Sequence, residues 1–240
     1  NTSTNSSDMC GINGILNFAD DNTGRLKPTV DAMNALIRHR GPDDHGVWEH
    51  PGGFLCLGQQ RLSIIDLSAA GHQPMLNPQG SAIVFNGEIY NYKELRNNIR
   101  NYTFSSESDT EILLYNLAHE GVNAIQALNG MFAFAYWDEN KQELLLARDR
   151  AGKKPLYYTV NGGRFIFSSE LRALLSVNGV EKIPDDEQLY HFLTYNQVNA
   201  PNTLFKGIHK LQPGEWMTVS RRGNIGRGDY WKIGYKDLRG

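Results

Sequence analysis

The sequence predicts an α+β fold in which sheets and helices are segregated into layers. Three observations carry that prediction. Gly130–Asp138 and Glu143–Arg148 alternate around the turn Glu139-Asn140-Lys141, and Leu156–Val160 and Arg164–Ser168 do so around Asn161-Gly162-Gly163, so both pairs read as β-hairpins. The helical segments form groups of their own instead of alternating with single strands. The apolar run Met131–Trp137 has the composition of a strand buried on both faces.

The elements follow in order. Residues 1–8 are polar and of low complexity, and read as a disordered tail or an expression remnant. Ile12, Ile15, Leu16 and Phe18 supply a short strand in which Gly11 and Gly14 leave room for close approach. Pro28 opens a helix through Ile37, with Val30, Met33 and Ile37 along one side. Gly41 and Pro42 end it in the loop Arg38–Gly46, whose histidines and aspartates lack the spacing of a metal site. Phe54–Gln60 reads as a strand with Cys56 as a packed core thiol, and Ser68–Pro78 as a polar loop. Ala82–Phe85 is a short buried strand that delivers Asn86-Gly87-Glu88 to its end, a triplet whose Asn-Gly also signals a turn. Tyr92–Arg100, Asp109–Glu120, Val122–Leu128 and Asp186–Leu193 read as helices, and Glu215–Ser220 as a strand. Ser108 or Asp109 caps the second of those helices.

Composition excludes several function classes. The chain has 240 residues, 40% hydrophobic and 21% charged, as ordinary globular proteins do. A formal net charge of −2 gives no broad attraction to nucleic acid or anionic lipid. No apolar run approaches the length of a membrane helix, and no secretory signal opens the sequence. Two cysteines, Cys10 and Cys56, make no disulfide framework, so the cytoplasm is the expected compartment.

Chemistry centres on Cys10, which follows Met9. Removal of Met9 would leave a thiol and a free α-amine on one residue. An α-amine has an ordinary pKa of about 7.7–8.0, low enough to take the thiol proton near neutrality. On Cys10 alone, a small buried hydrophobe at the start of a core strand is the better reading, and the rest of the chain decides.

The segments MCGINGIL, RHRGPDDHG, QQRLSIIDL with GHQPM, NGEIYNYKELR, SDTEILL, GMFAFAYWD, RDRAGKKPLYY and FSSEL occur in this order between Met9 and Trp231. Together they resemble the glutaminase domain of asparagine synthetase, a class II glutamine amidotransferase of the N-terminal-nucleophile hydrolase superfamily. The resemblance implies a four-layer αββα sandwich of two antiparallel sheets, with the amidotransferase domain over residues 9–231 and a linker to a synthetase domain beginning at 232–240.

The resemblance also implies roles. Cys10 would be nucleophile and base. Asn86, through its side-chain amide, and Gly87, through its N–H, would form the oxyanion hole. Arg61 would bind the α-carboxylate of L-glutamine, Asp109 its α-ammonium, with Glu88 a second acidic contact and backbone groups around Ile64 lining the pocket. Arg148, Asp149 and Arg150 are expected to support the pocket as a structural ion-pair group. No cofactor or metal is expected in this domain, because ATP and magnesium would serve only the synthetase domain, whose Ser-Gly-Gly-x-Asp-Ser loop does not occur here. The expected partners are L-glutamine and that synthetase domain, with a homodimer allowed and no nucleic acid or membrane. The implied activity is hydrolysis of glutamine to glutamate and ammonia. The alternative is a catalytically silent glutaminase-like scaffold, against which the joint presence of Cys10, Arg61, Asn86, Gly87 and Asp109 argues. Residues 1–9 depart from the pattern, since a peptide bond at Cys10 ties up the amine.

Overall fold

A computed structural model describes residues 9–18, 25–62, 71–100 and 102–234. The expectations for residues 1–8, for Ile64 and for the chain from 235 onward lie outside the described residues.

Along the chain run β1 (Gly11–Asn17), α1 (Lys27–Leu36), β2 (Asp44–Glu49), β3 (Leu55–Arg61), β4 (Met75–Leu76) and β5 (Ala82–Ile89). Then come α2 (Tyr92–Asn98), α3 (Asp109–Glu120), β6 (Gly130–Asp138), β7 (Glu143–Arg148), β8 (Tyr157–Asn161) and β9 (Arg164–Ser168). The last are α4 (Leu171–Leu175), α5 (Asp186–Tyr195), β10 (Ile208–Lys210), β11 (Glu215–Ser220) and β12 (Ile225–Asp229). Val122–Leu128, expected to be α-helical, is instead a 3-10 segment over Gly121–Ala127.

The strands form two six-stranded sheets, in the orders β10-β8-β9-β1-β3-β2 and β12-β11-β7-β6-β5-β4. Both expected hairpins are present, with Ala133 opposite Arg148 in one and Tyr157 opposite Ser168 in the other. The sheets face each other across a core that includes Ile12, Leu16, Leu57, Ala82, Val84, Ala135, Trp137 and Phe167. α1 and α4 cover the outer face of the first sheet through Val30, Met33, Ile37, Cys56 and Leu174. α3 and the 3-10 segment cover the second through Leu113, Leu117, Ile125, Phe85 and Phe134. Helix, sheet, sheet and helix therefore stack in four layers. Each fully buried large side chain in them contributes roughly 1.5–3 kcal/mol.

The pleat of β6 explains its unbroken apolar run. Ala133, Ala135 and Trp137 point into the inter-sheet core, and Phe132, Phe134 and Tyr136 point toward α3. β1 is buried along its whole length. A Cβ at Gly11 would come within 2.6 Å of Ile37 Cδ1 and 3.2 Å of Arg40 Cδ. The missing side chain lets the residues after α1 close over the start of β1.

Candidate active site

The start of β1 and the ends of β3 and β5 converge on one cleft. It is lined by Cys10, Arg61, Leu62, Gln73, Phe85, Gly87, Glu88, Ser108, Asp109 and Thr110, and encloses about 440 Å³ of space continuous with solvent. Four residues expected at a glutamine site besides Cys10 (Arg61, Gly87, Glu88 and Asp109) share its wall.

Cys10 precedes β1 directly and is half-buried. Its Sγ accepts the Leu62 N–H at 3.3 Å, and its thiol donates to the Leu62 carbonyl at 3.6 Å. Burial pushes the thiol above its ordinary value, while the Leu62 contact and the charges of Lys154 and Arg61 pull it back. The resting group is a neutral thiol that needs a proton acceptor when it attacks. Cys56 lies wholly buried in β3 against the α1 side, its thiol raised to about 12 by burial and by Glu49.

Asn86, Gly87 and Glu88 are not a turn. They continue β5, paired with Ala133, Phe132 and Met131 of β6. The pleat decides where Asn86 points. Ala82 and Val84 face the inter-sheet core, so Asn86 faces the same way, toward the sheet that carries β1. Its side chain is fully buried, and neither its Oδ1 nor its Nδ2 has a hydrogen-bond partner. Such an amide costs roughly 1–3 kcal/mol unless a ligand satisfies it.

Gly87 shares an edge of β5 with its alternate neighbours. The Phe85 N–H donates to Gln73 Oε1 at 2.7 Å and the Ile89 N–H to Asp109 Oδ2 at 2.9 Å, both away from β6. The Gly87 N–H lies between them on that edge. Its opposite residue Phe132 bonds instead to Asp149, donating at 3.3 Å and accepting from Asp149 N at 2.8 Å. A Cβ at Gly87 would strike the Met131 carbonyl and the backbone of Phe132, so only glycine fits where two strands approach this closely.

The opposite wall carries the charges. Arg61 ends β3 and is 7% exposed, with Asp44 Oδ2 at 3.9 Å from its guanidinium. That Asp44 oxygen also bonds His72 Nδ1 at 2.8 Å. Asp109 opens α3 behind the Ser108 cap, whose Oγ accepts the Thr110 N–H at 3.2 Å. Burial pushes the Asp109 carboxyl up to about 6; the N–H groups of Ile89 and Thr110 oppose this and the Glu88 carboxylate adds to it. Glu111, one residue past Thr110, accepts from Ser105 N and Oγ at 2.9 and 3.0 Å and from Ser106 N and Oγ at 2.7 and 2.6 Å. These bonds tie the incoming chain to the start of α3 and fix Asp109.

Arg148 and Asp149 support the pocket through main-chain groups. The Arg148 guanidinium donates to the carbonyls of Lys154, Leu211 and Gly152. Asp149 accepts from the N–H groups of Phe132, Ala151, Lys153 and Lys154. Arg150 donates to the carbonyls of Gln126 and Leu128.

The sequence reading missed Leu62, Gln73 and Lys154. All three sit inside segments already singled out, and Gln73 also donates to Thr110 Oγ1 at 3.1 Å. Lys154 is 5% exposed and lies near the Cys10 thiol, a placement that only the fold reveals.

Comparison with known proteins agrees with this geometry. Residues 9–231 match the family model for a glutamine amidotransferase domain. Asparagine synthetase [glutamine-hydrolyzing] 3 of Bacillus subtilis is 37% identical over 94% of this chain and 37% of its own length. Asparagine synthetase [glutamine-hydrolyzing] 1 of the same organism is 38% identical over 96% of this chain and 37% of its own. The chain thus spans little more than a third of the curated relatives it matches. Glutamine phosphoribosylpyrophosphate amidotransferase from B. subtilis superposes with a TM-score of 0.70 at 18% identity, over 93% of this chain and 50% of that one, which speaks for the fold. With its two-sheet architecture, its cleft at the start of β1 and a match over nearly its whole length, the chain belongs to the glutamine amidotransferase domain family.

Proposed function

We propose that the domain begins, when mature, at Cys10, and that it hydrolyses L-glutamine to L-glutamate and ammonia with the Cys10 thiol as nucleophile. The observation that carries this reading is the Asn86 amide, wholly buried and unpartnered beside the cleft that holds Cys10.

Each part of glutamine finds a complementary group. Its α-carboxylate suits the Arg61 guanidinium, and its α-ammonium suits the Asp109 and Glu88 carboxylates. The side-chain amide then lies toward Cys10. Sγ attacks the amide carbon as its proton passes to the Cys10 α-amine, and the carbonyl oxygen becomes an oxyanion held by Asn86 Nδ2 and the Gly87 N–H. The ammonium formed at Cys10 protonates the leaving nitrogen, ammonia departs and a thioester remains. Water, deprotonated by the same amine, hydrolyses it to glutamate and regenerates the thiol. These steps call for no metal or cofactor in this domain.

In the full-length protein the ammonia passes to a carboxylate activated by ATP and magnesium in a synthetase domain, aspartate being the acceptor the relatives' names favour. Among the described residues no helix is long and apolar enough to cross a membrane, and a working thiol suits a reducing cytoplasm.

The test compares two forms of verified mass, one starting at Asn1 and one at Cys10. The Cys10 form should release glutamate from glutamine, and the Asn1 form should be nearly inactive because an amide replaces the amine. Equal rates would overturn the amine mechanism, and two inactive forms would favour a silent scaffold.

A further inference from the structure

Lys154 has no part in the chemistry above, yet it is 5% exposed and acts electrostatically on the Cys10 thiol. Its Nζ donates at 2.9 Å to the thioether sulfur of Met9, a weak acceptor on the residue that maturation removes. Its main chain is held from both sides, the N–H by Asp149 Oδ2 at 2.9 Å and the carbonyl by Arg148 Nε at 2.7 Å. Arg40, from the short 3-10 turn after α1, is a second cation near Cys10. It is 6% exposed, its Nε donates to the Cys10 carbonyl at 3.0 Å, and its Nη2 is buried without a partner.

We propose that Lys154, with Arg40, is a positioning residue that keeps the mature Cys10 amine neutral, and so able to accept a proton, at the pH where the enzyme works. The argument is electrostatic and rests on the reading that Cys10 becomes the N-terminus. Loss of Met9 leaves an amine on Cys10, whose carbonyl Arg40 already holds and whose thiol lies within the field of Lys154. A like charge close by in a poorly solvated site disfavours protonation of that amine.

The surrounding charges do not cancel this effect. Asp149, on the loop after β7, spends its carboxylate on four N–H groups. Glu170, after β9, is shared at 3.3 Å with Arg40, 2.8 Å with His39 and 2.8 Å with Arg172. Arg61 on β3 adds a third cation, and Asp109 on α3 and Glu88 on β5 face it across the cleft. Burial lowers the Lys154 pKa and Arg40 adds to that, while the Cys10 thiol, Asp149 and Glu88 offset part of it.

The experiment uses the form beginning at Cys10, labelled with 13C-cysteine, in which buried Cys56 serves as an internal reference. NMR titration reads the Cys10 amine directly. In the wild type its midpoint should lie below the ordinary value of about 7.7–8.0. In Lys154→Met, which keeps the apolar stem, the midpoint and the acid limb of kcat/KM for glutamine should both rise by about one pH unit or more. At pH 7, kcat should fall more than KM changes. Lys154→Arg should stay near the wild type on both measures. A wild-type midpoint at or above the ordinary value overturns the proposal whether or not the variants fold. So does an unmoved midpoint in Lys154→Met, or an equal shift in Lys154→Arg. A wild type that releases no glutamate refutes the glutaminase reading instead, and the NMR midpoints still decide the role of Lys154.

Discussion

Replacing Asp109 by Asn should make the domain more stable at neutral pH while ruining its hold on glutamine. The carboxyl is 4% exposed and its pKa stands at about 6 against an ordinary 3.8. Between those values the folded chain keeps a proton that the unfolded chain has released, so stability falls as pH rises through that window. Above pH 6 the full cost is present. At about 1.4 kcal/mol per pH unit it amounts to about 3 kcal/mol. An Asn oxygen can still accept the Ile89 N–H, but its NH2 group meets the donors at the start of α3, which returns about 1 kcal/mol. The net expectation is a gain of about 2 kcal/mol near pH 7.5, or about 4–8 °C in Tm for a domain of this size. Near pH 4 the gain should vanish, because Asp109 is then itself neutral. Urea unfolding of both proteins between pH 4 and 8 reads this directly. For the substrate, loss of one charge-assisted contact should raise KM for glutamine about 10- to 100-fold. The wild-type KM should also climb as pH falls below 6. A stability difference that does not change with pH, or an unchanged KM in the variant, would refute the reasoning.

The remaining expectations separate the thiols and the oxyanion donor. Cys10→Ala should abolish glutamate release and leave the fold intact, whereas Cys56→Ala should keep most activity and lose about 1–2 kcal/mol to a small cavity in the α1-side core; equal activity losses would mean the wrong thiol has been chosen. Asn86→Ala should lower kcat about 10²–10³-fold with little change in KM, because its amide matters once negative charge develops. It should leave stability unchanged or raise it, since the replaced side chain has no partner in the free protein. A KM effect with kcat intact would make Asn86 a substrate-binding residue.

The sequence was most legible where the period of the side chains matched the layers. The hairpins β6-β7 and β8-β9, the Pro28 start of α1 and the Ser108 cap of α3 followed from local patterning, because alternation and capping are local physics. β2 was hidden in Arg38–Gly46, whose Gly, Pro and Asp content signals a loop; pairing with β3, not propensity, makes Asp44–Glu49 a strand. Asn86-Gly87 carries a turn signal for the same local reason, and the long β6 overrides it by pairing eight residues of β5 in register. The site residues were legible only jointly. Arg61, Asn86 and Asp109 lie on β3, β5 and α3, and nothing local distinguishes them from a surface charge, a turn and a cap. Lys154 lies within the RDRAGKKPLYY segment, but its burial was not legible because it depends on Asp149 gathering the loop through the N–H groups of Ala151, Lys153 and Lys154.

Buried polar costs also occur elsewhere, as at Asn17 and Glu215, but four of them gather around Cys10, and that gathering bears on function. An unpartnered amide at Asn86, a carboxyl at Asp109 raised by burial, a thiol at Cys10 raised by burial and an ammonium at Lys154 facing a thioether all occupy one end of the two sheets. Packing for stability alone would have favoured apolar side chains, as at Val84 on the strand of Asn86 and Leu16 on the strand that follows Cys10. In the proposed mechanism Asn86 and Asp109 are groups that a bound α-amino acid amide, or its tetrahedral adduct, would satisfy. The same charge that destabilises Asp109 in the free protein strengthens its grip on an ammonium, because little solvent competes there. The four-layer core can carry these costs and holds the groups still, so the proposed oxyanion donors Asn86 and Gly87 would not need to reorganise during the reaction. Preorganisation of this kind requires that the site be strained when empty, which is why the most functional residues here should also be the ones whose removal stabilises the fold.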